Sequence, residues 1–117
     1  RVSVAFVGSR TMARLHRQFL GRPGPTDVMA FLLAAPGGGV VGDVYVCPDV
    51  ACANARRFGV PAREECLRLV VHGTLHVLGF DHPGDARATG RARFFRRQER
   101  ILARVVGSSR ARGRRRV

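Results

Sequence analysis

The most informative segment of this chain is residues 72–82, His72-Gly73-Thr74-Leu75-His76-Val77-Leu78-Gly79-Phe80-Asp81-His82. It holds three of the four histidines of the chain. His72 and His76 are four residues apart, so on a helix they lie on one face about one turn from each other. Gly79 can end that helix in a left-handed conformation and let the chain turn back. The pattern therefore predicts that His72, His76 and His82 meet at one point.

Three neutral imidazoles around an open fourth position are typical of a catalytic zinc site, whereas a structural zinc site has four protein ligands. Zinc lowers the pKa of a water at the open position to about 7, which provides hydroxide at neutral pH. The alternative is that the histidines are buried core residues, but each would then need a hydrogen-bond partner within a mostly apolar helix. We therefore predict one zinc ion per chain, held by His72, His76 and His82.

The histidine spacing also resembles the zincin signature H-E-x-x-H-x-x-G-x-x-H. Zincin proteases use the glutamate after the first histidine as their general base. This chain has Gly73 at that position. The metal ligands are kept while the proton acceptor of a peptidase is missing, which argues against peptide hydrolysis.

Length and cysteine usage limit the class of protein. The 117 residues suffice for one domain, and no apolar run reaches the roughly 18 residues that a membrane span requires. The three cysteines, Cys47, Cys52 and Cys66, form no C-x-x-C pair. An odd number of widely spaced cysteines argues against a disulfide framework. We therefore expect a cytoplasmic protein that does not span a membrane.

The net charge is +13, and all 21 basic residues are arginine. Residues 107–117 contain five arginines and no acid, so removing those five charges leaves +8 on residues 1–106. A domain of this charge suits a polyanionic partner such as RNA, although a basic surface can also be soluble without any partner. We expect a folded domain over residues 1–106 and a disordered, arginine-rich tail over residues 107–117.

Hydrophobic patterning predicts the elements around the histidines. Short apolar segments predict strands at residues 2–7, 27–33 and 40–47, the first of them rich in β-branched residues. Helices are expected at residues 11–20, at residues 48–58 and from Pro61 through the first two histidines. A last helix is expected after Asp85 and up to about Val106. Ser9 and Asp85 are the expected caps of the first and last helices.

The histidine segment resembles the motif H-G-x-L-H-L-x-G-[YF]-D-H of the YbeY family, bacterial metal-dependent endoribonucleases of ribosomal RNA maturation. Val77 alone departs from it, where the family has leucine. Two further segments are similar to family motifs, Pro25-Thr26-Asp27-Val28-Met29-Ala30-Phe31 to P-T-D-V-L-S-F and Gly42-Asp43-Val44 to G-D-I. They come in the family's order, and the resemblance extends from residue 2 to about residue 105.

The resemblance implies an α+β fold, a small mixed sheet of about four strands packed with four to five helices, including a zincin-like metal helix. It implies zinc held by His72, His76 and His82. The implied activity is cleavage of single-stranded RNA, in 16S rRNA 3′-end maturation and ribosome quality control. The implied partners are ribosomal RNA and the ribosomal subunit.

The chain departs from the family where an arginine usually precedes the loop to P-T-D: here the residue is Leu20, and His16 replaces a usual asparagine. Arg22 in that loop, or Arg17 before it, could instead stabilise charge in the transition state. Asp81 is the carboxylate nearest the ligands in sequence. It could orient an imidazole or accept a proton, or it could only stabilise its loop. We predict Asp81 and Arg22 as the catalytic residues.

Two other classes of function remain open at this point. One is a zinc hydrolase of another substrate class, against which Gly73 and the basic surface argue. The other is a non-catalytic, zinc-containing ribosome-assembly or RNA-binding protein, which Leu20 favours. A fourth protein ligand, such as Cys47 or Asp43, would support that class because structural zinc sites are closed.

Overall fold

Three short apolar segments form strands in this protein, and four longer segments form helices. The computed structural model describes residues 1–33, 35–80 and 88–115, with side chains placed through residue 107. Its elements are, in order, β1 (Val2–Phe6), α1 (Ser9–Leu20), β2 (Val28–Leu33), β3 (Val41–Val46), α2 (Pro48–Phe58), α3 (Ala62–Val77) and α4 (Ala88–Arg115). The chain divides into two compact units, Arg1–Phe80 and Asp81–Val117, and α4 is the helix of the second.

The sheet has the strand order β1-β3-β2, with β3 in the centre. β1 runs parallel to β3, whereas β2 runs antiparallel to it across a glycine-rich turn. The mixed sheet and the helices packed on it confirm the predicted α+β fold. Within the described residues the sheet has three strands, where about four were expected.

The sheet separates two hydrophobic clusters, since successive residues of a strand point to opposite faces. Val44 and Val46 of β3 belong to the cluster beneath α3, together with Ala51, Leu69 and Val77. On the opposite face, Tyr45 packs against a buried cluster formed by Met12 of α1, Met29 of β2 and Cys47. Helices α1 and α3 are therefore built on opposite faces of the same three strands.

Helix α3 lies very close to the sheet because glycines stand where the two surfaces meet. A Cβ atom on Gly73 would lie 2.5 Å from Cγ1 of Val44 and 3.3 Å from Cγ2 of Val28. On the strand side, a Cβ on Gly42 would overlap the side chain of Val77. Any side chain larger than a hydrogen atom at these two positions would push the helix away from the sheet.

Two helix ends differ from their predicted form. Ser9 was expected to cap α1, but it is the first helical residue, with Gly8 at the N-cap position and no side-chain cap. Its hydroxyl instead donates a hydrogen bond to Oδ2 of Asp49, 2.8 Å away, which links the first turns of α1 and α2. Helix α4 continues beyond the expected end near Val106, to Arg115, so helical backbone extends into the predicted tail. The expected cap Asp85 lies outside the described residues.

The domain boundary between residues 106 and 107 stays a prediction.

None of the helices in the described ranges combines the length and the apolar character needed to cross a bilayer.

Candidate metal centre

The candidate centre is built on the C-terminal half of α3. The helix is favoured at its start by Glu64 and Glu65, whose negative charges lie at the positive end of the helix dipole. Arg68 pairs with both, with its guanidinium nitrogens 2.8 Å from Glu65 and 3.5 Å from Glu64. The buried Glu65 carboxylate is thus compensated within its own helix.

Helix α3 ends where the sequence predicted, with Gly79 in a left-handed conformation. Gly79 has a φ of 79°, its N–H donates to the carbonyl of His76 at 3.0 Å, and the N–H of Phe80 donates to the carbonyl of Leu75 at 3.1 Å. These two bonds form a Schellman motif, which satisfies carbonyl groups of the last turn and stops the helix. The ending therefore fixes the backbone just after the two histidines.

His72 and His76 are brought together by one turn of α3. Their Nε2 atoms lie 3.0 Å apart, their ring centroids are 4.5 Å apart, and the two ring planes are inclined by 66°. Both residues are half-buried. The prediction that these two histidines share a face of a helix is confirmed.

This separation fits the requirements of a shared metal ion. Zn–N bonds of about 2.0–2.1 Å at a tetrahedral angle place two ligand nitrogens about 3.3 Å apart. The observed 3.0 Å between the Nε2 atoms of His72 and His76 is within a few tenths of an ångström of that spacing. The same two nitrogens that would bind zinc are the ones that face each other.

The remaining predicted ligand and the predicted acid–base residue, His82 and Asp81, lie outside the described residues. In the described ranges, no third histidine, cysteine, aspartate or glutamate joins His72 and His76 in a metal-binding group. The two candidates for a fourth, closing ligand are both directed elsewhere. Cys47 is buried in the cluster on the α1 face of the sheet, and Asp43 alternates with Val44, which faces α3.

Gly73 occupies the position of the zincin glutamate, and the structure gives a physical reason for the glycine. The position faces the sheet, where Val44 and Val28 leave no room even for a methyl group. A glutamate there would be driven into the hydrophobic cluster beneath α3. The packing of this helix therefore excludes the peptidase base at that position.

Arg22 lies in the loop between α1 and β2, and its side chain is exposed. The loop is tied to the end of α1 by Nδ1 of His16, 2.9 Å from the carbonyl oxygen of Gly24, and by the Arg22 N–H, 3.5 Å from the carbonyl of His16. The loop enters β2 at Val28, which contacts Gly73 of α3. Its end therefore lies beside the histidine-bearing helix, while the catalytic role of Arg22 stays a prediction.

Sequence reasoning missed how this loop is held. Nδ2 of Asn54 donates to Oδ2 of Asp27 at 3.2 Å, and the N–H of Cys47 donates to the Asp27 carbonyl at 2.9 Å. The P-T-D resemblance drew attention to Asp27, and the resemblance marked His16 as a departure from the family without indicating its contact, but no motif pointed to Asn54. Both are positioning residues, found only through their contacts.

The family profile for "Endoribonuclease YbeY" matches residues 1–106 of this chain. The endoribonuclease YbeY of Micrococcus luteus is 41% identical over 113 residues, which cover 90% of this chain and 70% of that protein. The YbeY proteins of Beutenbergia cavernae and Kineococcus radiotolerans are 44% and 47% identical over 90 residues, covering 69% of this chain and 60% and 52% of their own lengths. The chain thus spans from about half to about seven-tenths of these relatives.

The solution structure of TM1509 from Thermotoga maritima is similar in fold, with a TM-score of 0.68 and 33% sequence identity. The similarity covers 95% of this chain and 71% of that one.

A mixed three-stranded sheet, with a helix against one face that brings two histidines together, defines a small α+β protein. Within that class, the chain belongs to the YbeY family of endoribonucleases.

Proposed function

We propose that this chain is a zinc-dependent endoribonuclease that cleaves single-stranded RNA and acts in 16S rRNA 3′-end maturation and ribosome quality control. The observation that carries the proposal is the 3.0 Å separation of the Nε2 atoms of His72 and His76 on α3, within a family of endoribonucleases. The net charge of +13 is consistent with an RNA substrate and with ribosomal RNA as the partner. The free thiols of the described cysteines agree with a cytoplasmic location.

Each predicted residue has a distinct role in this proposal. His72, His76 and His82 hold one zinc ion, with His82 assigned from the sequence motif. Zinc bound there would supply a Lewis acid for the scissile phosphate and an activated water. Asp81 orients a ligand imidazole or accepts a proton, and the exposed guanidinium of Arg22 stabilises negative charge on the phosphate in the transition state.

A second candidate function is a non-catalytic, zinc-containing ribosome-assembly protein. Leu20 favours it, because the family usually has an arginine at this position. The placement of Cys47 and Asp43 weighs against it, since neither side chain lies on the face of the sheet that carries α3. An activity assay separates the two candidates, because both predict zinc and RNA binding.

The test combines metal analysis with RNA cleavage. The chain as isolated should contain one zinc per molecule by plasma mass spectrometry and should cleave a single-stranded RNA oligonucleotide. A chelator should abolish cleavage, and added zinc should restore it. His76→Ala should lose zinc and cleavage. His16→Ala should keep its zinc, because the His16 side chain is hydrogen-bonded to the carbonyl of Gly24 in the loop that follows α1.

Full zinc content in His76→Ala would refute the ligand assignment. Stoichiometric zinc without any RNA cleavage would favour the assembly protein. Cleavage of an unstructured peptide, with RNA left intact, would favour a hydrolase of another class.

A further inference from the structure

The surface of α1 that faces away from the sheet carries a single sign of charge. Arg10, Arg14 and Arg17 follow each other at intervals of four and three residues, which puts them on one face of the helix. Met12, on the opposite side of the helix, is fully buried against the sheet. We call Arg10, Arg14 and Arg17 the basic face of α1.

The basic face lacks the compensation that ordinary surface helices have. All three arginines are exposed, and among the residues with described side chains none of them has a hydrogen bond or an ion pair. Residues 1–26 contain no aspartate or glutamate. The carboxylate of Asp49, in the first turn of α2, accepts a hydrogen bond from Ser9 at the start of α1. On α3, by contrast, Arg68 is paired with two glutamates.

This arrangement is electrostatically unfavourable for the isolated helix. Arg10 lies in the first turn, next to the positive end of the helix dipole, and the first turn contains no acid. Arg10 and Arg14 are like charges four residues apart, and Arg14 and Arg17 are like charges three apart, so both pairs repel each other. A polyanion lying along the helix would relieve both effects at once.

The basic face also ends close to the loop between α1 and β2. It ends one turn before the loop that carries Arg22, which is bonded to the end of α1 through His16. That loop enters β2 at Val28, in contact with Gly73 of the histidine-bearing helix. The loop therefore connects the C-terminal end of the basic face with the part of the sheet that lies beside α3.

We propose that the basic face of α1 is a docking surface for the phosphate backbone of single-stranded RNA, separate from the residues that carry out cleavage. The proposal rests on the proposed function for its choice of RNA among polyanions. The surface contributes binding through Arg10, Arg14 and Arg17, and the loss of Arg10 and Arg14 together should raise KM and leave kcat unchanged.

The test is the salt dependence of RNA binding by the full chain, followed by fluorescence anisotropy of a labelled single-stranded RNA before detectable cleavage. Each phosphate contact adds about 0.7 to the slope of log affinity against log salt. Arg14→Gln should reduce the slope by about 0.7, and the triple variant R10Q/R14Q/R17Q by about 2. The matched control is R56Q/R57Q/R63Q, which removes the same charge from exposed arginines of α2 and α3 and should change the slope much less.

Circular dichroism should show that both triple variants remain folded, because every substituted side chain is exposed. An unchanged slope in the α1 variant would overturn the proposal, and so would an equal loss in both triple variants, because binding would then follow net charge alone. Weaker binding to phosphatidylglycerol vesicles with unaltered RNA binding would also overturn it.

The same experiment distinguishes this surface from the proposed function. Suppose that the parent protein cleaves no RNA, and that R10Q/R14Q/R17Q loses the salt-dependent binding whereas the control R56Q/R57Q/R63Q keeps it. The docking surface then stands and the nuclease assignment fails. If the parent cleaves RNA and the α1 variant does so with the same KM, the assignment stands and the docking surface fails.

Discussion

Nδ1 of His16 lies 2.9 Å from the carbonyl oxygen of Gly24, so a side chain of α1 holds the loop that follows this helix. The loop contains Arg22, the candidate for charge stabilisation, and continues into β2 beside α3. The side chain of His16 on α1 therefore helps to position a loop that borders the candidate centre.

Replacing His16 with alanine should loosen this loop. Loss of one hydrogen bond is expected to lower the free energy of unfolding by about 0.5–1.5 kcal/mol, and the RNA cleavage rate should fall while zinc content stays the same. His16→Asn, which introduces the residue usual in the family, should retain more of the rate than His16→Ala. Urea denaturation, metal analysis and cleavage assays check these outcomes, and a full rate in His16→Ala would mean that the hydrogen bond has no part in positioning the loop.

Leu20 and Arg22 offer a direct test of where the catalytic positive charge comes from. If Arg22 supplies it, Arg22→Ala should reduce RNA cleavage by roughly 10²–10³-fold, and Leu20→Arg should change little. If the charge is missing in this chain, Leu20→Arg should instead raise the rate by a similar factor, with zinc content unchanged. Metal-dependent cleavage measured for both variants beside the parent protein distinguishes these cases, and no effect of either would exclude this segment from the chemistry.

Gly73→Ala should destabilise the protein although alanine is the better helix former. The new Cβ would lie 2.5 Å from Cγ1 of Val44, and overpacking of this kind typically costs about 1–3 kcal/mol. The control is Gly107→Ala in α4, where the added Cβ meets nothing within 4 Å. That variant should be as stable as the parent or more stable by up to about 1 kcal/mol.

The clash can be tested further by removing its partner. Val44→Ala combined with Gly73→Ala should recover part of the stability lost in Gly73→Ala, which a double-mutant cycle of unfolding free energies measures. Strictly additive losses would show that Val44 is not the residue that requires glycine at position 73.

Cys66 should be an unreactive thiol at neutral pH. Burial raises the pKa of the Cys66 thiol above its ordinary value, and the neighbouring Cys52 and Glu65 raise it further. Because the folded-state pKa is the higher one, the stability that this group contributes is present below the ordinary thiol pKa and is lost as the pH rises through the folded value. The pH midpoint of Cys66 alkylation by iodoacetamide, read by peptide mass spectrometry, should be higher in the native chain than in the urea-unfolded chain. Equal midpoints would contradict the raised pKa.

Local patterns predicted the strands and helices well because their causes are local. The short apolar segments form the three strands, and Gly79 adopts the left-handed conformation expected beyond α3. The four-residue spacing of His72 and His76 predicted their shared face because helical geometry alone determines it. The family resemblance supplied the fold class.

Contacts between distant residues could not be predicted in this way. The hydrogen bond from Ser9 to Asp49 joins residues 40 positions apart, and it replaces the local cap that the sequence suggested. The fit of Gly73 against Val44 likewise depends on how closely α3 approaches the sheet. Such distances follow from tertiary packing, which periodicity along one segment does not encode.

The position of the sheet between α1 and α3 has a consequence for how this protein can change. Met12 belongs to the cluster on one face of the sheet, whereas Val77 belongs to the cluster on the other. Substitutions at sites that share no neighbours generally have additive effects on stability. The RNA affinity that the basic face of α1 contributes can therefore be raised or lowered without disturbing the packing of the helix that carries His72 and His76. Affinity for RNA and cleavage chemistry can thus change independently within one small domain.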